Sequence, residues 1–165
     1  MKTVNIVIAG LGGQGIVKAS DILSDAAFRS GHDVKKAEVH GMSQRGGSVN
    51  TDVRYGDRIL SPMAPDGEAD ILLIMDVTQI DNNRHRLKPD GIMLSSACLK
   101  DFEHGPSRGA TVAMLGVLSA HLDLDATVWH DAIRAALPAE HHAMNLAAFD
   151  AGRAYADGRP AAPPA

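Results

Sequence analysis

The chain has 165 residues, of which 45% are apolar and 22% are charged, which is typical of one globular domain. Its single cysteine excludes an internal disulfide, and it excludes a zinc finger or an iron–sulfur cluster held by this chain alone. A lone cysteine also fits a reducing compartment, so we expect a cytoplasmic protein. The net charge of −4 argues against a nucleic-acid partner, and no apolar run reaches the roughly 18 residues that a membrane span needs.

The N-terminal part predicts a strand, a helix and a second strand. Residues 4–9 form a short segment that is rich in β-branched side chains and is followed by glycine, which is typical of a buried strand. Apolar residues recur at helical spacing within residues 13–30, and Gly31 stands at the stop position. Residues 33–39 form the next candidate strand. Such a unit predicts two parallel strands joined by a right-handed crossover.

The middle part predicts an antiparallel hairpin at an edge of the sheet. Residues 48–55 alternate between apolar and polar side chains, Gly56 and Asp57 form a tight-turn signal, and residues 58–61 read as the return strand. Residues 71–75 predict a further buried strand.

The remainder predicts mostly helices. Asp76 or Thr78 caps a short helix that ends near Leu87, the Pro-Asp-Gly sequence at residues 89–91 forms a turn, and residues 92–95 form a strand. Three helices follow. The first covers residues 109–122, the second begins at a cap at Asp125 or Thr127, and the third covers residues 139–157. Residues 158–165 are rich in proline and alanine and are expected to be a disordered tail. The sequence therefore predicts one three-layer α/β domain over residues 1–157, whose sheet is mostly parallel.

A glycine-rich segment, Gly-Leu-Gly-Gly-Gln-Gly, follows the first predicted strand and opens the first helix. Glycines let the chain turn sharply and bring backbone N–H groups close to a ligand, and the helix N-terminus favours an anion. The candidate cofactor-binding residues are therefore Gly10, Gly12, Gly13, Gln14 and Gly15. The alternative is that these glycines only allow the helix to pack closely on the strand.

A second polar segment, Glu-Val-His-Gly-Met-Ser-Gln-Arg-Gly-Gly, occupies residues 38–47 at the end of the second strand. Open α/β sheets place their sites at the carboxyl ends of their strands. An arginine offers a planar donor fork to a carboxylate or a phosphate, and serine and glutamine add neutral hydrogen bonds. The candidate residues of this active-site loop are Glu38, His40, Ser43, Gln44 and Arg45.

Other chemistry has weaker support in the same residues. Glu38 and His40 could share a strand face and bind a metal, but a third ligand is not evident. His40 and Ser43 lack the acidic partner and the turn motif of a hydrolase. In a dinucleotide-binding fold, Glu38 would contact a ribose hydroxyl. We predict no metal site and no catalytic residue that acts in this chain alone.

The two segments together resemble the gamma domain of the 2-oxoacid:ferredoxin oxidoreductases, in the version found in the small subunit of indolepyruvate ferredoxin oxidoreductase. The resemblance continues through Ser-Pro at residues 61–62 and residues 67–70, and through residues 114–116 and 145–152. It covers about residues 3–155. The segment 102–109 is shorter than in longer relatives.

The resemblance implies a Rossmann-like α/β unit that packs on thiamine-binding domains of a larger partner subunit and helps to close the site over coenzyme A. In such complexes a 2-oxoacid is oxidatively decarboxylated, and its electrons pass through iron–sulfur clusters to ferredoxin. Thiamine diphosphate, Mg and the 4Fe-4S clusters would then belong to the partner, with coenzyme A as co-substrate and no cofactor bound by this chain alone. Arylpyruvates, indolepyruvate among them, are the implied substrates, and another aryl oxoacid would fit as well.

Two other functions agree with the glycine-rich segment. The first is a stand-alone NAD(P)-dependent dehydrogenase, although a substrate domain and an acid–base pair are missing. The second is a nucleotide-sensing module without catalysis. The resemblance favours the small subunit of an oxidoreductase, which would be inactive without its partner.

Overall fold

The computed structural model describes residues 3–42, 46–101 and 109–158. Its strands are β1 (Val4–Leu11), β2 (Asp33–His40), β3 (Ser48–Gly56), β4 (Ala69–Ile74) and β5 (Leu87–Ser95). Its helices are α1 (Ile16–Arg29), α2 (Ile80–Asn83), α3 (Ala110–Ser119), α4 (Ala126–Ala136) and α5 (His142–Ala156). Short 3-10 turns precede and follow α2, precede α5, and occupy Ser96–Asp101 after β5. The described residues contain no helix that is long and apolar enough to cross a membrane.

The five strands form one sheet in the order β2-β3-β1-β4-β5. β4 lies parallel to β1 and to β5, whereas β3 lies antiparallel to β1 and to β2. Four strands therefore run in one direction and β3 runs against them, which confirms the predicted α/β class with a mostly parallel sheet. β1, β2, β4 and β5 end at the same side of the sheet, which we call the carboxyl edge. β1 and β2 are parallel, as predicted, but β3 lies between them.

Strand β3 does not pair with the predicted return strand. Residues 58–61 form no strand, and β3 is an inner strand rather than an edge strand. Both sides of β3 are already hydrogen-bonded, to β1 and to β2, so a return strand has no place beside it. The chain leaves the sheet instead, and the Ile59 N–H donates to Asp33 Oδ2 at 2.7 Å. The antiparallel hairpin of this protein is the β2–β3 pair.

Two further predictions need correction. β5 begins at Leu87, so the predicted turn at residues 89–91 lies inside a strand, where the pairing with β4 shifts between Ala69 and Ile71. Proline is tolerated there because β5 is an edge strand and leaves one side unpaired. The single helix predicted from Asp76 to Leu87 is a one-turn α2 between two 3-10 turns. Of the predicted tail at residues 158–165, residues 159–165 lie outside the described residues.

The two faces of the sheet are covered unequally. The larger core cluster joins Ile6, Ile8 and Leu73 of the sheet to side chains of α1, α3, α4 and α5, with Trp129 and Phe149 fully buried. The other face has a small cluster around Val7 and Leu72. There, Arg86 reaches back from the turn after α2 to Asp52 Oδ2 at 2.7 Å and fixes this thin third layer with a buried ion pair.

Helices α3 and α5 approach each other through two glycines. A Cβ on Gly116 would lie 2.0 Å from the carbonyl oxygen of Phe149, and a Cβ on Gly152 would lie 1.9 Å from that of Ala113. Neither position can hold a side chain unless the helix backbones separate. This contact sets the position of α3, whose first turn lies next to the loop after β1.

Candidate functional site

The two loops predicted to carry chemistry meet at the carboxyl edge of the sheet. The Gly12 N–H donates to the carbonyl oxygen of Gly47 at 2.8 Å. A Cβ on Gly12 would lie 3.5 Å from the Gly46 nitrogen, so the backbones are in ordinary contact. Because β3 runs against β1, it begins where β1 ends, and this antiparallel pairing brings residues 46–47 to the glycine loop.

The glycine loop is shaped by Gln14. Its Oε1 accepts the Leu11 N–H at 2.8 Å, and its Nε2 donates to Asp76 Oδ2 at 2.8 Å. A Cβ on Gly10 would lie 2.8 Å from that same Oε1 and 2.5 Å from Cδ1 of Ile16, so a side chain there would displace Gln14 or Ile16. Both ends of the Gln14 amide are thus bound within the protein. Its predicted contact with a ligand stays a prediction, and its observed role is to hold the loop.

Asp76 follows β4 and lies beside the glycine loop because β4 is the parallel neighbour of β1. Its carboxylate accepts hydrogen bonds from the hydroxyl and the backbone N–H of Thr78 as well as from Gln14. The Thr78 hydroxyl first, and then the Gln14 amide and the Thr78 N–H, lower the pKa of Asp76 below its ordinary value. The carboxylate therefore stays ionised and anchors Gln14.

Two more polar contacts join this edge to its surroundings. The Thr111 hydroxyl, in the first turn of α3, donates to the carbonyl oxygen of Gln14 at 2.8 Å. The Ser48 hydroxyl donates to Gln79 Oε1 at 2.7 Å and links the start of β3 to the turn after β4. Sequence reasoning missed Thr111, Ser48 and Gln79, and it treated Asp76 only as a helix cap. The position of Asp76 directly after a buried strand was the one available signal.

The loop offers free backbone donors. Gly13 and Gly15 have positive φ angles of 88° and 77°, and their N–H groups have no acceptor among the described residues. Gly15 is the N-cap of α1 and supplies no side-chain cap to the N–H groups of the first turn. Donors of this kind fit a phosphate or a carboxylate. The nearby Asp76 carboxylate opposes an anion, and its bonds to Thr78 and Gln14 offset part of that charge.

Glu38 and His40 lie on β2, away from the glycine loop. Glu38 accepts a hydrogen bond from Lys36 Nζ at 3.0 Å, and its other oxygen lies 3.5 Å from His40 Nε2. The Lys36 hydrogen bond is the largest cause that lowers the pKa of Glu38, followed by the contact with His40. Because β3 separates β2 from β1, Glu38 is one strand further from the loop than the acidic residue of a dinucleotide-binding fold.

The other predicted loop residues, Ser43, Gln44 and Arg45, lie outside the described residues, and their roles stay predictions. Across the described ranges, no group of three or more His, Cys, Asp or Glu side chains is placed to hold a metal ion. Glu38 and His40 therefore have no third protein ligand in that part of the chain.

Comparison with known proteins decides the family. The profile of the pyruvate ferredoxin/flavodoxin oxidoreductase family matches residues 5–101, which contain both loops and, except for Val4 of β1, all five strands. The chain belongs to this family. This confirms the family expected from the two polar segments.

A curated relative and two solved structures define the similarity. The indolepyruvate oxidoreductase subunit IorB of Pyrococcus horikoshii is 44% identical over 97 residues, which are 59% of this chain and 48% of that protein. The chain thus spans about half the length of that relative.

The gamma subunit of keto/oxoacid ferredoxin oxidoreductase from Geobacter sulfurreducens has a TM-score of 0.78 and 21% identity, over 96% of this chain and 98% of that one. A 2-oxoglutarate:ferredoxin oxidoreductase from Magnetococcus marinus has a TM-score of 0.81 and 23% identity, over 99% of this chain and 32% of that one. At these identities, the two structures confirm the fold alone.

Proposed function

We propose that this chain is the small subunit of a 2-oxoacid:ferredoxin oxidoreductase that acts on an arylpyruvate such as indolepyruvate. The observation that carries the proposal is the hydrogen bond between Gly12 and Gly47, which joins the two family segments into one site at the carboxyl edge. The 44% identity to a subunit named indolepyruvate oxidoreductase supports the substrate class.

The site's own chemistry supports a positioning role. The N–H groups of Gly13 and Gly15 would hold an anionic group, either a phosphate of coenzyme A or the carboxylate of the oxoacid. The Magnetococcus relative is described with 2-oxoglutarate, coenzyme A and succinyl-CoA bound, which are anions of both kinds. Seated on this loop, the small subunit would orient the anion and exclude water from the reacting atoms.

The redox cofactors would be held by a larger partner subunit. One cysteine cannot supply the four thiolates that a 4Fe-4S cluster needs. Thiamine diphosphate with Mg would stabilise the carbanion in that partner, and the clusters would pass electrons to ferredoxin. In this proposal the complex is cytoplasmic and the small subunit has no activity of its own.

Co-expression with the large subunit tests the proposal. We expect indolepyruvate- and coenzyme-A-dependent reduction of a viologen dye only when both subunits are present. Neither subunit alone should show it, and the separated small chain should contain no iron. Activity of the large subunit alone at the rate of the complex would contradict the proposed role.

The competing functions give different results in a binding assay. A dehydrogenase would bind NADH directly, and a nucleotide-sensing module would bind ATP or NAD by calorimetry without a partner. The inserted strand β3, which moves Glu38 away from the glycine loop, argues against a dinucleotide site. Tight NADH binding to the isolated chain would favour the dehydrogenase over our proposal.

A further inference from the structure

A second concave site lies at the other end of the sheet. A cleft of about 350 Å³ opens where β1 and β4 begin and β3 ends, opposite the glycine loop. Its apolar walls come from Val4, Ile71, Ile92 and Leu122. Its polar groups are Tyr55, Asp70, Lys88, Asp90, His121 and Asp123. None of these residues belongs to the site described above.

The charges around the cleft are unbalanced. Lys88 Nζ lies 2.7 Å from Asp70 Oδ1 and 3.6 Å from Asp90 Oδ1, and the other Asp70 oxygen accepts the Asn5 N–H at 2.8 Å. Asp70 is therefore neutralised and hydrogen-bonded. Asp123 has no ion-pair or hydrogen-bond partner among the described residues. With Asp90 only loosely paired, the cleft keeps an excess of negative charge.

A tyrosine with a buried ring also lines this cleft. Tyr55 is 2% exposed, and its side chain hydrogen-bonds to no group in the described part of the chain. Burial, and then the carboxylates of Asp123 and Asp70, raise the pKa of Tyr55 to about 12. Tyr55 lines the cleft together with Asp70 and Asp123. The hydroxyl is the accessible tip of an otherwise buried side chain, so it can hydrogen-bond to a group that enters the cleft.

The C-terminal end of α3 also favours a positively charged ligand in the cleft. α3 ends at Ser119, and its C-cap Ala120 leads directly into His121, Leu122 and Asp123 of the cleft. The carbonyl end of a helix carries partial negative charge and favours a cation. The apolar walls, in turn, suit an aliphatic stem rather than a hydrated metal ion.

We infer that this cleft binds an aliphatic ammonium group, with Asp123 as its counter-ion, the Tyr55 hydroxyl as a hydrogen-bonding partner and the aliphatic stem against Ile71 and Ile92. Such a group occurs on a free diamine and on a lysine side chain of a partner protein. Both present the same four-carbon chemistry to the cleft. The inference is independent of the proposed function, because it concerns the opposite end of the sheet.

Titration of the full chain by calorimetry and by amide NMR tests this site. The probes are 1,4-diaminobutane, 1-butylamine and the neutral 1,4-butanediol, all at matched ionic strength. We expect saturable binding of the amines, with shifts in the amides next to the cleft, and no binding of the diol. Tighter binding of the diamine would indicate a free diamine, and equal binding of both amines would indicate a single ammonium, as on a lysine side chain.

Three variants locate the binding. Asp123→Asn should weaken diamine binding by about tenfold or more, because a charge-assisted contact is lost. Tyr55→Phe keeps the ring and should weaken binding several-fold. Asp81→Asn removes the same charge from a side chain that is 94% exposed on α2, outside the cleft, and should bind like the wild type.

Circular dichroism checks that each variant is folded, and Asp123 is exposed, so its substitution should leave the fold intact. Three outcomes would overturn the inference. These are no saturable amine binding, equal binding of the diol, and affinities of Asp123→Asn and Tyr55→Phe that both equal the wild type.

Discussion

Glycines in the loop after β1 and glycines in the α3–α5 contact serve opposite purposes. At Gly116 and Gly152 an added Cβ would lie 2.0 Å and 1.9 Å from backbone oxygens of the facing helix. At Gly13 nothing lies within 4 Å of the added atom, and at Gly12 the nearest atom is 3.5 Å away. At Gly116 and Gly152, backbone of the facing helix occupies the place where a side chain would lie. Gly12 and Gly13 of the loop leave space open.

This difference shows which glycines are structural and which are available to a ligand. Both groups lie in segments that resemble the same family, so the sequence pattern treats them alike. Only their surroundings distinguish the two groups. The glycines of α3 and α5 lie against the backbone of the facing helix, whereas Gly12 and Gly13 lie at the open carboxyl edge of the sheet. Substitution by alanine tests each group, since it adds one methyl group and no charge.

The largest effect is expected for Gly152→Ala. The new methyl group would force α5 away from α3 and disturb the packing around Phe149, which is fully buried. Overpacking of this kind costs about 3 kcal/mol of unfolding free energy. Urea denaturation measures it. Ala147→Gly, at an exposed position of the same helix, is the control and should cost about 0.5–1 kcal/mol. A smaller loss for Gly152→Ala than for this control would show that the helices adjust freely.

The next effect is expected for Gly15→Ala. Gly15 has a φ angle of 77°, and a side chain in that region costs about 1–2 kcal/mol. Its Cβ would also lie 3.3 Å from the Thr111 hydroxyl. Gly31→Ala is the matched control, because its φ angle is 88° and nothing lies within 4 Å of its Cβ. Equal losses in thermal denaturation would mean that backbone strain alone matters. A greater loss at Gly15 would reveal the Thr111 contact.

The glycine loop also depends on the bond between Asp76 and Gln14. Asp76→Ala removes the acceptor for Gln14 and the cap of the following turn, and caps are worth about 1 kcal/mol. The double variant with Gln14→Ala should lose less than the sum of the single variants. Additive losses in urea denaturation would show that the two side chains act independently.

The same bond predicts a pH dependence. The pKa of Asp76 is lowered in the folded chain, so its stabilising contribution is complete above the ordinary value of 3.8 and is lost as pH falls through the folded value. The stability difference between wild type and Asp76→Ala should therefore be constant near neutral pH and shrink in acid. A difference that grows as pH falls from neutral would contradict the sign of this shift.

Much of the fold could be predicted from local patterns, because each strand and helix carries its own periodicity. The position of β3 could not. Its alternation identifies a strand, and Gly56-Asp57 suggests a partner after it, but the actual partners, β1 and β2, both precede it, and its insertion between them depends on the packing of the whole sheet. The Pro89 turn signal misled for a similar reason, because only the strand order shows that β5 is an edge.

The candidate site, like the fold, could be predicted in part. Both loops follow strands that end at one edge, so their location could be expected. The partner of Gln14 could not, since Asp76 lies beside the loop only because β4 pairs with β1. The cleft around Tyr55 gave no sequence signal, because its residues come from four strands and the segment after α3.

The smallest effect on stability, and the most informative one for function, is expected for Gly12→Ala. Gly12 is exposed, its φ angle is not positive, and its Cβ would make only an ordinary contact with Gly46. The unfolding free energy of Gly12→Ala should therefore differ from that of the wild type by less than about 0.5 kcal/mol.

The methyl group of Gly12→Ala would nevertheless occupy the surface that an anion approaches and hinder its contact with the Gly13 N–H. In the complex with the large subunit, we expect KM for coenzyme A or for the oxoacid to rise by about tenfold, and the affected substrate would identify the anion. Asp81→Asn, which lies on α2, should leave both values unchanged. If Gly12→Ala is stable and has wild-type kinetics for both substrates, the loop glycines serve helix packing, and the anion binds elsewhere in the complex.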